Sequence, residues 1–578
     1  MTRQVRLLGI PEIIGDDGGS QPVRGHQAWA LLARVLLARR PLGRQALAAE
    51  LFPASVDPLG ALRWCLAALR KALNTSDCLV GDPVEARLPP GTEVDLWQLD
   101  QDTLDIADAG DLLEGMEPQC SPEFSTWLLA ERARIKATID SKIRRGIMQA
   151  LAVDDHALAL QLAERAVRRD LYNERAHVLL VKSLACAGNV EAAVAHVEAT
   201  ERLFRDELGV VPSPALRSAA RRIGASPPAG VAPEAHVRSL MRSGSAALAA
   251  GALDTGIESL RLAASEAERT SDRHLQAVAI LELGKGLVHS LRGFDDEGAI
   301  LLRRCTELAR SAGYADVAAA GFRELGYVEA LAGRRPSAAE YLRAALEFAD
   351  GADELAAIHG FIAFNLVDWG RVDDGLAHYA ISLDQARQAA NRQREIWSLG
   401  LGARGQLAAG NVQLADRWLR DCLKLVDEQQ WVAFRPWPVA LLGEAALGRR
   451  DNAATMRGSL EEAFALSCQL RDPCWEGAVA RSLALSHAAD GDLEAGLAWL
   501  DEARRRAVRE SDLYAALEVE IVASKVELLG RLGRAGEASV LAREWVSLAA
   551  RTHMDGHVAR AAAWLADGRR TQPAEALR

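Results

Sequence analysis

The chain has few of the sequence features that are typical of metal sites, disulfide frameworks or membrane spans. Its eight cysteines are scattered along 578 residues, and none has the CxxC spacing or the neighbouring histidines of a metal site. No segment approaches about 18 uninterrupted apolar residues, and the apolar run at the start is too short for a signal peptide. These absences predict a soluble protein of the reducing cytoplasm, with no bound metal and no membrane contact.

Signatures of catalysis and of nucleotide binding are also missing from the sequence. It contains no HExxH, no GxSxG and no dinucleotide-binding fingerprint after a strand. The only approach to a Walker motif, Gly284-Lys285-Gly286, lacks the upstream glycine and the hydroxyl residue. We therefore expect no enzymatic activity and no cofactor.

Negative charge dominates the chain as a whole, but not its N-terminal region. The formal net charge is −11. Residues 1–95 contain 11 Lys and Arg against 10 Asp and Glu, so this region carries +1 and the remainder carries −12. Because an acidic surface repels phosphate, any contact with nucleic acid is expected in the N-terminal region.

A predicted helix over residues 62–74 is the most informative feature of that region. Four leucines share one stripe at helical spacing, which predicts a buried face. The opposite arc, about 100° wide, carries Arg63, Ala67, Arg70, Lys71 and Asn74. Cations on one helix face often form only a solvated surface, but a helix that is buried on one side and basic on the other can enter a DNA groove. Trp64, at the edge of this arc, is interpreted as a packing residue, with direct base contact as the alternative.

The elements around this helix predict a winged-helix domain over residues 1–96. Short strand-like runs at the start precede two helices, His26 to Arg39 and Arg44 to Leu51. After the basic helix, glycines and prolines separate three strand-like runs, which are Leu79 to Val80, Val84 to Leu88 and Glu93 to Leu96. Strands, three helices and a closing hairpin in this order are typical of a winged helix, and this context favours the DNA-groove interpretation.

Beyond Trp97 the strand signal disappears, and helical periodicity continues to the end of the chain. We assign residues 97–224 to a helical domain, 225–236 to a proline-rich linker, 237–569 to a repeat array and 570–578 to a tail. In the array, eight glycines recur at spacings of 37 to 43 residues, at Gly251, Gly293, Gly333, Gly370, Gly410, Gly448, Gly491 and Gly533.

The fifth residue after each of these glycines is always glycine or alanine. A turn glycine followed by a small residue one turn into the next helix lets two antiparallel helices approach closely. Eight such units predict a solenoid of helical hairpins. The same signature occurs once before the linker, at Gly188 and Ala193, where the preceding turn near Asp154 lies 34 residues upstream, which is the tetratricopeptide period.

Two stretches of the sequence resemble bacterial regulators of the Streptomyces antibiotic regulatory protein type. The first contains RRPLGRQALAAELFP, ALRWCLAALRKAL and VDLWQL, and the second runs from YNERAHVLLVKSLACAGN to DELGVVPSPALR. The run from Asp206 to Pro214 is the most specific part. The resemblance covers about residues 1–223, and it implies a winged helix coupled to a bacterial transcriptional activation domain built from tetratricopeptide hairpins. The expected fold class is therefore mainly α, with a small α+β winged-helix domain followed by tetratricopeptide-like hairpins that form an α-solenoid.

The resemblance also implies that the basic helix lies in the major groove of double-stranded DNA, while Arg44 and Arg87 reach flanking phosphates. The predicted DNA-binding residues are Arg44, Arg63, Ala67, Arg70, Lys71, Asn74 and Arg87. RNA polymerase and a second copy of the chain are the partners that it implies for the activation domain. The near-neutral N-terminal region and the alanines of the groove face support an alternative, a protein-interaction scaffold whose winged helix no longer binds DNA.

An irregular segment of the array carries a cluster of aromatic residues near Pro436 and Pro438. Aromatic residues at repeat interfaces are mostly core. Since prolines interrupt helices, we expect Trp431, Phe434 and Trp437 to be presented on the concave face to a peptide or a small ligand. The sequence does not identify that ligand.

Overall fold

The structure is a computed structural model that describes residues 3–38, 41–99, 110–220, 234–249, 253–290, 293–449, 454–510, 512 and 514–570. Two compact units divide the chain: Met1–Ile143 with Ala542–Arg551 and His557–Arg578, and Arg144–Leu541 with Thr552–Gly556. The architecture is mainly α with one small sheet near the N-terminus, which confirms the predicted fold class. Among the described residues, no helix has the length and apolar character that a membrane span requires.

The N-terminal part of the first unit contains a three-stranded sheet in the order β2-β1-β3. The strands are β1 (Gln4–Arg6), β2 (Glu12–Ile14) and β3 (Glu93–Val94). Strand β1 is antiparallel to β2 and parallel to β3. Val5 of β1 faces Ile13 of β2 in register, and both are fully buried, so the sheet contributes directly to the core of this unit.

Three helices form the rest of this core: α1 (His26–Leu36), α2 (Arg44–Leu51) and α3 (Pro58–Ala72). The carboxylate of Asp57 accepts the Gly60 N–H and caps α3, while Pro58 occupies the first helical position, where its missing N–H costs nothing. Helix α3 packs against α1 and α2. The predicted leucine stripe is confirmed, since its four members are buried there: Leu62, Leu66, Leu69 and Leu73.

The wing is shorter than the sequence predicts. A turn over residues 80–85, here called the wing turn, is closed by a bridge between Val80 and Glu85. A second bridge joins Val84 to Leu42, just before α2. The last predicted strand ends at Val94, because the chain turns there into the short helix α4 (Asp95–Gln98).

The Asp95 carboxylate explains why that strand ends early. Its Oδ2 accepts the backbone N–H groups of Leu7 and Leu8, both at 2.7 Å, and so caps the end of β1. To make this cap, Asp95 cannot continue strand β3, and it begins α4 instead. Burial raises the pKa of Asp95, although these two hydrogen bonds oppose the rise.

The next elements are the long helix α5 and the helices that follow it up to residue 218. They are α5 (Pro122–Ala152), α6 (His156–Arg169), α7 (Glu174–Cys186), α8 (Val190–Leu203), a π-helical turn (Phe204–Leu208) and α9 (Pro214–Ser218). Asp154 and Gly188 both have positive φ angles, of 59° and 83°, and each lies in a turn between two of these helices. Ala193 is fully buried in α8, so the small residue predicted after the Gly188 turn is part of the helix contact.

From Glu234 onwards the described residues form eight successive helical hairpins and one further helix. The helices are α10 (Glu234–Ala249), α11 (Leu253–Ala267), α12 (Arg273–Ser290), α13 (Asp295–Ala312), α14 (Ala315–Leu331), α15 (Arg335–Phe348), α16 (Ala352–Asp368), α17 (Val372–Gln388), α18 (Arg392–Ala408), α19 (Val412–Glu428), α20 (Pro436–Gly448), α21 (Ala454–Leu470), α22 (Pro473–Ala489), α23 (Leu493–Ala507), α24 (Ala515–Arg531), α25 (Ala535–Arg551) and α26 (Asp555–Arg570). Most of the predicted linker lies outside the described residues, and α10 already includes its last three residues.

The recurring glycines mark the turns inside these hairpins, with two exceptions. Positive φ angles are found at Gly293, Gly333, Gly370, Gly410, Gly491 and Gly533. Gly448 instead ends α20, and Gly251 lies outside the described residues. A Cβ on Gly298 would lie 3.2 Å from the carbonyl oxygen of Gly284, so the fifth position stays small because two helices meet there.

Buried charges join hairpins that are far apart in sequence. Asp368, at the end of α16, accepts the hydroxyl of Tyr514 at 3.0 and 3.1 Å. The same carboxylate pairs with Arg335 at 3.2 Å and with Arg404. One carboxylate therefore connects α15, α18 and the start of α24 in the second unit.

Candidate DNA-binding surface and aromatic cleft

The side of α3 opposite the leucines is exposed along its whole length. Trp64, Ala67 and Lys71 follow one another at helical spacing on this surface, with Arg63 beside them, and Asn74 is exposed just beyond the end of α3, where its φ is 47°. The Arg63 side chain is 63% exposed, and its Nη2 lies 3.5 Å from the Asp57 carboxylate, at the long end of an ion pair. We call these five residues the α3 face.

Trp64 is 59% exposed, so its interpretation as a packing residue is wrong. It lies three residues before Ala67 and seven before Lys71, and therefore on the same stripe. This spacing was visible in the sequence, but periodicity alone does not show whether another element covers the ring. An exposed indole on a groove-entering helix can make apolar contact with a thymine methyl group.

Arg70 is only half-exposed, and its guanidinium is engaged by the protein. Its Nε donates to the carbonyl of Cys78 at 3.2 Å, and its Nη2 donates to the carbonyl of Leu79 at 3.1 Å. Leu79 has a positive φ of 52°. Arg70 therefore holds the loop that leads from α3 into the wing turn, and its contact with DNA stays a prediction.

Arg44 ties the start of α2 to the same turn. Its Nε donates to the carbonyl of Gly81 at 2.8 Å, and its backbone N–H donates to the Asp82 carboxylate at 3.0 Å. On the other side of the turn, the exposed Arg87 pairs with Glu85 at 2.8 Å. The structure thus brings Arg44 and Arg70 to the wing turn, while Arg63 and Lys71 remain on the α3 face.

A cleft of about 420 Å³ opens on the first helices of several hairpins in the second unit. We call it the aromatic cleft, because six rings line it: Tyr327, Phe361, Trp397, Trp431, Phe434 and Trp475. The Trp431 and Phe434 rings are stacked, with their centroids 5.0 Å apart. The centroid of the Trp397 ring lies 5.5 Å from that of Phe434. The Trp475 ring meets Phe434 edge-on at 5.9 Å.

Of the three aromatic residues that the sequence predicts as a ligand surface, two line the cleft and one is buried in the core. Trp431 is partly exposed and Phe434, although 2% exposed, lines the cleft. Trp437 is 3% exposed, and its Nε1 donates to the carbonyl of Gly400 at 3.1 Å, so the expectation that it is presented to a ligand is wrong. The reason is that Pro436 opens α20 instead of breaking a helix, which turns Trp437 into the core.

One wall of the cleft is a paired charge cluster. Arg323 donates to Glu324 at 2.9 and 2.5 Å and to Glu354 at 2.5 Å. The Nε2 of His289 lies 2.6 Å from the other oxygen of Glu324. Burial alone would raise the pKa of Glu324, but Arg323 and His289 outweigh it and hold that pKa well below its usual value.

Two hydrogen-bond donors of the cleft, on Arg394 and Trp397, are not paired in this way. The Arg394 guanidinium forms no hydrogen bond and no ion pair with the residues that the structure describes. The Nε1 of Trp397 is buried and likewise has no hydrogen-bond partner among the described residues. Both residues belong to α18. Sequence reasoning missed them, because the only signal was the three-residue spacing between an arginine and a tryptophan.

The family model of the bacterial transcriptional activator domain matches residues 107–224. The match contains α5 to α9 and the run from Asp206 to Pro214. Residues 107–224 therefore carry a bacterial transcriptional activator domain. The resemblance to regulators of the antibiotic regulatory protein type is confirmed, with a tetratricopeptide-like array after the activator domain.

A search of the curated proteins finds no match to the chain. Among solved structures, a Rap protein complexed with competence and sporulation factor is 12% identical over 58% of this chain and 98% of that chain, with a TM-score of 0.41. Mycobacterium tuberculosis EmbR in complex with a low affinity phosphopeptide is 17% identical over 38% and 64%, with a TM-score of 0.29. Yeast Tom70 is 11% identical over 78% and 93%, with a TM-score of 0.31. At these scores the likenesses assign no function.

Metal ligands are not grouped in the part of the chain that the structure describes. No three His, Cys, Asp or Glu side chains lie close enough together there to hold a metal ion. The two candidate sites are therefore the α3 face and the aromatic cleft.

Proposed function

We propose that the chain is a cytoplasmic DNA-binding transcriptional activator that reads operator DNA with the α3 face. The observation that carries this proposal is the exposure of Arg63, Trp64 and Lys71 on one side of a helix whose other side is buried. An arginine fork pairs with guanine edges, an indole contacts thymine methyl groups, and a lysine neutralises phosphate. These are the three kinds of contact that a groove-entering helix needs.

The wing turn supplies a second contact in this proposal. Arg44 and Arg70 hold the turn beside α3 through backbone carbonyls, so it can follow the flanking phosphates. Arg87 lies on its outer side and exchanges Glu85 for a phosphate when DNA is bound. The activator domain then contacts RNA polymerase or a second copy of the chain, while the hairpin array docks a protein or a small ligand.

The engagement of several predicted DNA-binding cations by the protein itself supports a second candidate function, that of a protein-interaction scaffold. Four of the five predicted cations already contact protein groups, since Arg44 and Arg70 donate to backbone carbonyls, Arg87 pairs with Glu85, and Arg63 lies 3.5 Å from Asp57. A protein-interaction scaffold whose winged helix does not bind DNA would need no additional positive charge on this surface. Sequence preference in DNA binding separates the two functions.

The test measures binding of the full chain to the DNA upstream of its own gene and to a scrambled duplex of equal length. We expect Arg63→Ala with Lys71→Ala to weaken specific binding at least about tenfold, since one good bidentate base contact contributes about 1–3 kcal/mol. The matched control is Arg168→Ala with Lys424→Ala, which removes the same charge from two exposed sites outside the winged helix.

Salt dependence adds a second readout. Specific binding should weaken steeply as salt rises, because each neutralised phosphate releases counterions. If the wild-type chain binds both duplexes equally at all salt concentrations, the scaffold function replaces the proposed one. If the double variant keeps full specific affinity, the α3 face is not the reading surface.

A further inference from the structure

The aromatic cleft has the size and the lining of a site for a small molecule. Its volume of about 420 Å³ falls within the range of roughly 300–1,000 Å³ that ligand pockets usually have. Six of its fifteen lining residues are Tyr, Phe or Trp, and eight others are polar or charged. Flat, stacked walls such as Trp431 against Phe434 favour a flat ligand.

The charge of the cleft favours an anion over a cation. Lys285, Arg323 and Arg394 line it together with two acids, Glu324 and Asp472. Arg323 and Lys285 are already paired, with Glu324 and Glu282 respectively. An aromatic cage without a cation in its wall would suit an ammonium group, but here the wall itself carries an unpaired cation.

Arg394 is that unpaired cation. It forms no ion pair with a carboxylate of the described residues; burial and then Arg323 lower its pKa, while the more distant Glu324, Asp353 and Glu354 partly oppose that change. A charge removed from water without a partner is costly, so such a group normally has one. A planar guanidinium accommodates a carboxylate with two parallel hydrogen bonds.

The Trp397 indole places a second unpartnered donor next to Arg394. The two residues are three apart on α18 and therefore share one face of that helix, and both line the cleft. The buried Nε1 has no partner among the described residues, whereas buried polar groups are nearly always hydrogen-bonded. An oxygen-bearing group of a ligand is the kind of partner that both donors require.

We propose that the aromatic cleft binds a planar aromatic carboxylic acid. Its ring lies among Trp431, Phe434 and Trp475, and its carboxylate pairs with Arg394 and accepts the Trp397 N–H. This site is independent of DNA binding by the α3 face, so its test needs no DNA.

The experiment is calorimetric titration of the full chain with three probes that share one ring system. They are 2-naphthoate, the neutral 2-naphthalenemethanol and the cationic 2-naphthylmethylamine. We expect 2-naphthoate to bind saturably at one site and at least tenfold more tightly than either analogue. This ranking on the wild-type chain tests the proposal without any variant.

Variants on α18 then locate the site. Arg394→Gln should abolish the preference for the acid, and Trp397→Phe, which keeps the ring and removes the N–H, should weaken 2-naphthoate a few-fold. Arg392→Gln is the matched control, because Arg392 lies on the same helix and pairs with Glu395 at 2.6 Å instead of lining the cleft. It should leave all three affinities unchanged. Arg394→Lys serves as a second variant, since it keeps the charge and loses the fork.

Several outcomes would overturn the proposal. These are the absence of saturable 2-naphthoate binding, equal affinity for the three probes, preference for the amine, or identical effects of Arg394→Gln and Arg392→Gln. Circular dichroism of each variant verifies that a lost affinity reflects the site and not an unfolded array. If Arg394→Gln unfolds, the proposal is tested by the ranking of the three probes on the wild-type chain and by their affinities for Arg394→Lys.

Discussion

Arg144 donates two hydrogen bonds to one carboxylate oxygen of Asp296, at 2.9 and 2.6 Å, across 152 residues of sequence. The third contact of the same guanidinium goes to Glu329 at 2.9 Å, and all three side chains are nearly buried. The end of α5, which belongs to the activator domain, is therefore fastened to α13 and α14 of the array. Burial opposes all three charges, but Asp296 and Glu329 raise the pKa of Arg144, Arg144 lowers that of Asp296, and Arg334 together with Arg144 lowers that of Glu329.

Removal of Arg144 should strongly destabilise this contact. We expect Arg144→Met to lower the free energy of unfolding by about 3–5 kcal/mol, because the buried Asp296 carboxylate loses its ion-pair partner and Glu329 keeps only Arg334. Arg145→Met is the control, since its pair with Glu340 is more exposed and 3.4 Å long, and should cost about 1 kcal/mol or less. Urea unfolding followed by tryptophan fluorescence measures both variants, and equal losses would contradict the role of Arg144.

Acid should weaken the same contact. The folded-state pKa values of Asp296 and Glu329 lie below their ordinary values of 3.8 and 4.5. Their contribution is therefore fully present above about pH 4.5 and is lost as the pH falls below it, because the unfolded chain binds these protons first. Melting temperatures between pH 7 and pH 3 should fall below pH 4.5, and less so in Arg144→Met. A melting temperature that is constant over this range would exclude the linkage.

Two stacked histidine pairs predict a second pH dependence. His177 and His196 lie 3.0 Å apart between ring nitrogens, and His359 and His378 lie 2.8 Å apart. Burial, and then the neighbouring ring, lower the pKa of His359 and of His196 below 6.5. Stability should therefore decline as the pH falls below 6.5, since the unfolded chain binds protons that His196 and His359 bind less readily in the folded chain.

NMR titration of the imidazole protons measures this effect directly. His378→Gln should raise the pKa of His359 part of the way towards 6.5, because the repulsion disappears while the burial remains. An unchanged His359 titration in this variant would show that burial alone causes the shift.

Arg70 and Trp64 should respond in opposite ways, although both lie on α3. Arg70→Met is expected to destabilise the loop around residues 78–79 by about 1–3 kcal/mol, because two carbonyls lose their donor. Trp64→Ala should change stability by only about 0.5 kcal/mol, since the ring is exposed, while it weakens specific DNA binding. Hydrogen exchange of the amides in α3 and the following loop, measured beside DNA affinity, separates the two effects. Faster exchange in Trp64→Ala would contradict the exposed position.

Much of the fold follows from spacing that is visible in the sequence. The leucine stripe of α3 and the turn glycines of the array, such as Gly333 and Gly370, are found where periodicity predicts them. Gly448 departs from that pattern, because it is the last residue of α20. The wing also departs, because Asp95 turns the chain away from the sheet to cap β1.

The site residues were harder to predict, because a periodic pattern shows which side chains share a face but not what covers that face. Trp64 was expected to be covered and is exposed, whereas Trp437 was expected to be exposed and packs beside Gly400. Arg70 has the same charge and helix arc as Lys71, yet only the loop geometry shows that it is engaged. Exposure depends on neighbours from distant parts of the chain.

By itself, the sequence determined the hairpin period and the buried side of the basic helix, because these depend on local spacing of apolar and small residues. Only the tertiary structure decided which cations are engaged by the protein, and that α14, α16, α18, α22 and the segment between α19 and α20 bring six aromatic rings and Arg394 to one cleft. The physical reason is that burial and pairing are set by contacts between residues far apart in sequence. A helical repeat fixes each helix locally and leaves those contacts to the packing of the whole array.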